Sequence, residues 1–212
     1  MKKIVLSLTT VALIFTASAN DKYEKAMLKN ISLVYEANTV DAYQQAINNL
    51  TRIGNAEKNK WEPYYYITYS YIIMSFMEQD PGKKDSYIDL AQAALDKGLA
   101  IAPDESELVT LQGFTHTARL NVDPMNRGQR YSGMATKVLR QAIKLNPENP
   151  RALLLMGQMM YGTAQFMGGS TTEACAMIEK SLDKFETFKS SHALAPQWGK
   201  GQATDALKQC GN

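Results

Sequence analysis

Residues 145–162 read LNPENPRALLLMGQMMYG, and they decide the architecture. Leu145 closes a run with helical periodicity. Pro147 cannot continue that helix, because it has no N–H to donate and its ring crowds the preceding turn. Asn149 is a strong N-cap type, and Pro150 suits the first helical position, where a missing N–H costs nothing. A second helix therefore starts within five residues of the first one's end. Gly157 sits inside it, against a propensity cost of ~1 kcal/mol. A glycine is kept there when a neighbouring side chain must lie on the helix backbone.

The same joint recurs. Ala46-x3-Leu50, Ala91-x3-Leu95, Ala135-x3-Leu139 and Ala174-x3-Ile178 share one pattern, with alanine spacings of 45, 44 and 39. A third inward position follows at Ile53, Gly98, Ala142 and Ser181. Pro103 and Pro147 each stand twelve residues after an alanine, and Gly113 and Gly157 ten residues after those prolines. A small residue lets the second helix of a pair approach the first, and the larger one a turn later fills the gap. Apolar positions elsewhere recur at three and four, as in Ile88, Ala91, Leu95 and Leu99, and no segment alternates at length. Asp104 with Glu107, and Ser170 with Glu173, have capping-box spacing. The reading is about nine helices with loops at 80–86, 121–130 and 162–171.

These residues resemble the tetratricopeptide repeat (TPR) family, whose W-x2-L-G-x2-Y…A-x3-F…P pattern matches at Gly113 and Gly157, the four alanines with their partners, and Pro103 and Pro147. The period is near 44 where the family has 34, and 40–47 also suits HEAT or armadillo repeats. The proline and glycine offsets favour TPR. Tyr65 takes the glycine's place in the unit that lacks one. The resemblance implies an all-α, right-handed α-solenoid of three to four helix pairs, with units at about 23–58, 61–103, 105–147 and 149–188 and a C-terminal capping helix at 196–212. It also implies a non-catalytic scaffold whose first helices line a concave face. On that face stand Glu62, Tyr66, Tyr69, Phe114, Thr117, Gln158 and Tyr161, a mixed aromatic and polar groove for a protein or peptide partner. The excess length falls between the helices of each pair, as EQDPGKKDS, NVDPMNRGQR and GTAQFMGGS. Three long loops on one edge would carry Arg127, Arg130, Phe166 and Met167 as a second contact surface. The alternative is a small-molecule or glycan binder using that edge.

Composition limits the rest. The chain opens MKKIVLSLTTVALIFTASAN, with a basic start, an apolar run from Ile4 to Phe15 and a small-x-small site at Ala17-Ser18-Ala19. This is the pattern of a secretory signal peptide, residues 1–19, and the run is too short to span a bilayer. The expected address is periplasmic or secreted, with residues 20–212 as one domain. Without the two leader lysines, 21 basic residues balance 21 acidic ones, which favours neither nucleic acid nor an anionic membrane. Two cysteines in an exported chain, Cys175 and Cys210, suggest a disulfide, against the alternative of two buried thiols. His116 and His192 are the only histidines, and neither has a partner at metal-ligand spacing. Gly168-Gly169-Ser170 could cradle an anion but lacks the lysine of a P-loop. The expectation is no metal, no cofactor and no catalytic residue. Partner identity and oligomeric state are not legible.

Overall fold

The computed structural model describes residues 5–189 and 192–211, with side chains from residue 21 onward. The expected leader lies outside the described side chains, and the last residue of the expected cap lies outside the described residues. Among the described residues nine helices run in the order α1 (Val5–Glu36), α2 (Val40–Ala56), α3 (Glu62–Met77), α4 (Pro81–Ile101), α5 (Ser106–Val122), α6 (Pro124–Leu145), α7 (Pro150–Met167), α8 (Thr172–Thr187) and α9 (Lys200–Cys210), with no strand among them. None of these helices is long and apolar enough to cross a membrane.

The helices pair antiparallel as α1–α2, α3–α4, α5–α6 and α7–α8, and α9 packs on α8. Successive first helices pack on one another, α1 on α3, α3 on α5 and α5 on α7, and form the inner layer. The second helices form the outer layer, each set against the first helix of the next pair. This is an all-α, TPR-like solenoid.

The repeat pattern explains the packing. Ala46, Leu50, Ala91, Leu95, Ala135, Leu139, Ala174 and Ile178 are all buried. A Cβ added at Gly113 would stand 2.6 Å from both Cγ and Cδ2 of Leu139. One at Gly157 would stand 2.7 Å from Cγ1 of Ile178 and 3.1 Å from its backbone nitrogen. Each glycine thus receives the bulky residue of its partner helix. Ile53 is only half-buried, and the small inward residue beside it is Gly54, against Tyr64. In α3 the close-approach position is Thr68, whose Oγ1 lies 3.4 Å from the carbonyl of Ala91. Tyr65, expected in that role, is fully buried one turn earlier and serves a different purpose described below.

Most of the three expected loops is helix: 81–86, 121–122 with 124–130, and 162–167. Asp80 caps α4 by accepting from Lys83 N–H at 2.8 Å, with Pro81 at the first helical position. Asp123 does the same for α6 toward Asn126 N–H, followed by Pro124. α7 runs on to Met167 and stops at Gly168, whose φ of 68° is the left-handed conformation of a helix C-cap. The extra length of each repeat therefore goes into longer helices. The joints are residues 78–80, Asp123 alone, and 168–171. An Asp-Pro pair starts a helix here, for the reason that Asn149-Pro150 does. Asn149 caps α7 as expected, accepting from the N–H groups of Arg151 and Ala152. The two expected capping boxes do not form. Glu105 caps α5 in place of Asp104, and α8 starts after Thr171 without a side-chain cap.

Cys175 and Cys210 are joined, with Cα atoms 5.7 Å apart. The bridge ties the end of α9 to the start of α8 across a separation of 35 residues. Replacing both cysteines by serine is expected to cost roughly 3–4 kcal/mol in the chain-entropy account, read as a lower urea midpoint. A loss under ~1 kcal/mol would show that packing alone holds α9.

Candidate functional site

The inner layer is not an open groove. Residues 192–198, HALAPQW, leave α8 and lie across all four first helices. Tyr66 Oη donates to the carbonyl of Leu194 at 2.8 Å, and the N–H of Gln197 donates to Tyr35 Oη at 2.9 Å. The indole N–H of Trp198 donates to Tyr65 Oη at 2.8 Å. Its ring stacks on Tyr69 at 5.3 Å and on Phe114 at 5.6 Å between centroids. His192 meets Trp61 edge to face. Leu194, Ala195, Pro196 and Trp198 are buried, so this segment is part of the core. Gly199 then turns the chain into α9 at a φ of 114°, with no room for a Cβ against Phe185.

A buried ion pair anchors the end of this segment. Arg151, 1% exposed, donates from Nε and Nη2 to both carboxylate oxygens of Glu107 at 2.8–3.1 Å. Its Nη1 reaches the carbonyl of Trp198 at 3.4 Å, and its guanidinium stands over the rings of Phe188 and Phe185. Burial opposes the charge on Arg151, but the Glu107 carboxylate outweighs it, and the guanidinium is held above its ordinary pKa. Tyr65 completes the network by donating to Glu107 at 3.4 Å. Burial, first of all, pushes the phenols of Tyr65, Tyr66 and Tyr69 upward, so they stay neutral hydrogen-bonding groups.

The expected contact residues therefore separate into groups. Tyr66 and Tyr69 are covered by the chain's own segment, and Tyr66 is only 1% exposed. A partner cannot reach them while that segment is in place. Glu62, at the start of α3, accepts from Tyr23 Oη at 3.1 Å. Because Thr68 is the close-approach position, Tyr69 is the counterpart of Phe114, which is why both stack on one indole. Phe114 is half-buried, and on its outer side lies Phe76, 5.5 Å away and exposed at the end of α3. Thr117, also half-buried, bonds back to the carbonyl of Gly113 in its own helix.

Gln158 and Tyr161 stand apart from the filled groove. They face α9 across a cleft of about 420 Å³, whose lining also includes Ile178 of α8, Ala206 of α9 and Gly162 of α7. Across it, Tyr161 Oη donates to the carbonyl of Gln209 at 3.1 Å and accepts from Gln165 at 3.1 Å.

The expected loop edge changes most. Arg127 lies on α6 and forms a two-pronged pair with Asp85 of α4 at 2.7 and 2.8 Å. Arg119 pairs with Asp85 and Asp89. The hydrogen bonds from Arg127, and then those from Arg119, hold the Asp85 carboxyl below its usual range. Arg127 is thus engaged in joining two outer helices. Arg130, also on α6, stands over the Tyr131 ring. Phe166 and Met167 end α7 at 74% and 78% exposure. Among the described residues, no group of three or more His, Cys, Asp or Glu side chains is placed to hold a metal.

What sequence reasoning missed is the role of 192–198. The expected capping helix at 196–212 took in Pro196 to Trp198, but α9 begins only at Lys200; the signal was Trp198 itself, a large apolar ring that a solvated end cap does not need.

The solenoid with its small-for-large interlocking defines a TPR-like helical repeat protein. No family model matches the chain. A TPR protein of Thermus thermophilus superposes with a TM-score of 0.52 over 95% of this chain and 97% of its own, at 13% identity, a likeness of fold alone. The HusA haemophore of Porphyromonas gingivalis superposes with a TM-score of 0.79, at 32% identity over 89% of this chain and 92% of that one. The chain belongs to the family of HusA. Regulator of microtubule dynamics protein 3 of Rattus norvegicus is 26% identical over 175 residues, and the match covers 78% of this chain but 35% of that protein.

Proposed function

We propose that this is an exported, non-catalytic binding protein whose ligand is a small flat ring of the porphyrin class. The likeness to a haemophore along nearly the whole of both chains carries this reading. The geometry supports a small ligand over a peptide, because the groove where TPR-like proteins would seat a peptide is filled by residues 192–198. What stays open beside it is an aromatic ledge. Phe76 and Phe114 lie over the edge of a stack that continues through Trp198 to Tyr69. Such a surface suits a flat apolar ring, which gains both area burial and ring stacking. Export is supported by the leader pattern and by the Cys175–Cys210 bridge, which belongs to an oxidising compartment.

Haemin titration tests the reading. The Soret band is expected to shift and saturate near one equivalent. Phe76→Ala, at an exposed position, should weaken binding roughly fivefold by removing about 1 kcal/mol of ring contact. Metal-free protoporphyrin separates recognition of the ring from recognition of the iron. An unchanged Soret band throughout rejects the porphyrin class.

A further inference from the structure

The cleft between α7 and α9 has a composition that the porphyrin reading does not use. Along α7 stand Gln158, Tyr161 and Gln165, and along α9 stand Gln202, Asp205 and Gln209. Both triplets have the spacing i, i+3, i+7, so each is one polar stripe along one helix face. A seam between two helices of one domain is ordinarily apolar and closed. Here both helices rest on α8, and the stripes face each other across an open gap. Each stripe extends about 10 Å, at 1.5 Å per residue.

The chemistry of the lining is selective. Four carboxamides present both donors and acceptors and carry no charge. Gln202 already accepts from the Gly199 N–H with its oxygen, and Tyr161 has its hydroxyl tied on both sides. The Tyr161 ring is thereby held as a wall. Asp205 offers acceptors, with Lys208 beside it at 2.8 Å. The apolar part of the lining is small, Ile178, Ala206 and Gly162. The bridge at Cys210 adjoins Gln209 and holds α9 at its distance from α7.

We propose that this cleft is a binding site for a neutral saccharide of one or two rings. Vicinal hydroxyls each donate and accept, and paired amides and a carboxylate answer them. The apolar face of a pyranose ring suits the Tyr161 wall and Ile178. The length matches about two sugar rings. A peptide would use the amides as well, but the apolar lining offers it only Ile178, Ala206 and Gly162. The inference is independent of the porphyrin reading, since the two concern different surfaces and different ligands.

Saturation-transfer NMR and calorimetry with maltose, cellobiose, lactose and N,N′-diacetylchitobiose test it, with the tripeptide Ala-Gly-Ala as a competing probe. At least one disaccharide is expected to bind in the millimolar range or better. The double variant Gln158→Leu/Gln209→Leu should weaken it about tenfold, by removing two neutral hydrogen-bonding groups, while leaving the unfolding midpoint and haemin response in place. Reducing the Cys175–Cys210 bridge should weaken it as well. Three results would overturn the proposal: no binding by any of the four sugars, the tripeptide binding more tightly than all of them, or affinity unchanged in the glutamine variant.

Discussion

Trp198→Ala is expected to lower stability by about 3–5 kcal/mol, the range for deleting a large buried aromatic side chain. The indole contributes three separable interactions: a stack on Tyr69, a stack on Phe114, and a hydrogen bond to Tyr65. Removing it leaves a void against α3 and α5 and frees residues 192–198 from their strongest anchor. Urea unfolding followed by circular dichroism reads the loss as a drop in midpoint. Trp198→Phe separates the contributions, since it keeps most of the ring contact and loses the N–H; its cost should be near 1–2 kcal/mol. The chain has two tryptophans, so a Trp61→Phe background makes Trp198 the sole indole reporter. If Trp198→Ala shifted stability by under ~1 kcal/mol, residues 192–198 would be a surface strap, and the groove would be available to a peptide after all. That result would return the protein-scaffold reading to first place.

Glu107→Ala is expected to cost a similar 3–5 kcal/mol, for an electrostatic reason. Arg151 is almost wholly buried, and Glu107 is its only carboxylate partner among the described residues. Without Glu107, a guanidinium stays in a site that water does not reach, and Tyr65 loses its acceptor. The pair itself is a weaker stabiliser than its breakage suggests, because both charges were taken out of water. Replacing both partners, as Glu107→Leu/Arg151→Met, should therefore be less damaging than Glu107→Ala alone. The comparison is read from unfolding midpoints of the three proteins. A double variant as unstable as the single one would mean that the hydrogen bond from Arg151 to the Trp198 carbonyl is the larger contribution.

These residues show how far the sequence reaches. The repeat was legible because its rules are local or nearly so. A helical stripe repeats every three to four residues, a proline ends a helix wherever it falls, and a small residue marks a close approach. Gly113, Gly157 and the alanines at 46, 91, 135 and 174 therefore announced both the pairing and the order of the helices. The loop expectation failed at Asp80-Pro81 and Asp123-Pro124, where a helix-start signal was read as a turn, although Asn149-Pro150 states the same rule. The contact surface fared differently. Gln158 and Tyr161 do line an open cleft, but Tyr66 and Tyr69 lie beneath the chain's own residues, and Arg127 is engaged by Asp85.

What the sequence by itself determined is the all-α class, the helix pairs and the inward face of each helix, because hydrogen bonding and side-chain periodicity act within a few turns. Which surface remains free was decided only by the tertiary structure. Tyr66 meets Leu194 across 128 residues, and Tyr35 meets Gln197 across 162. No periodicity links positions so far apart. Their meeting depends on the solenoid first forming a groove of the right width, lined with phenols that need partners once water is excluded. The cleft arises in the same way. Two stripes of glutamine on separate helices are ordinary solvated faces in the sequence, and they become one lining only when α8 and the disulfide set α9 opposite α7.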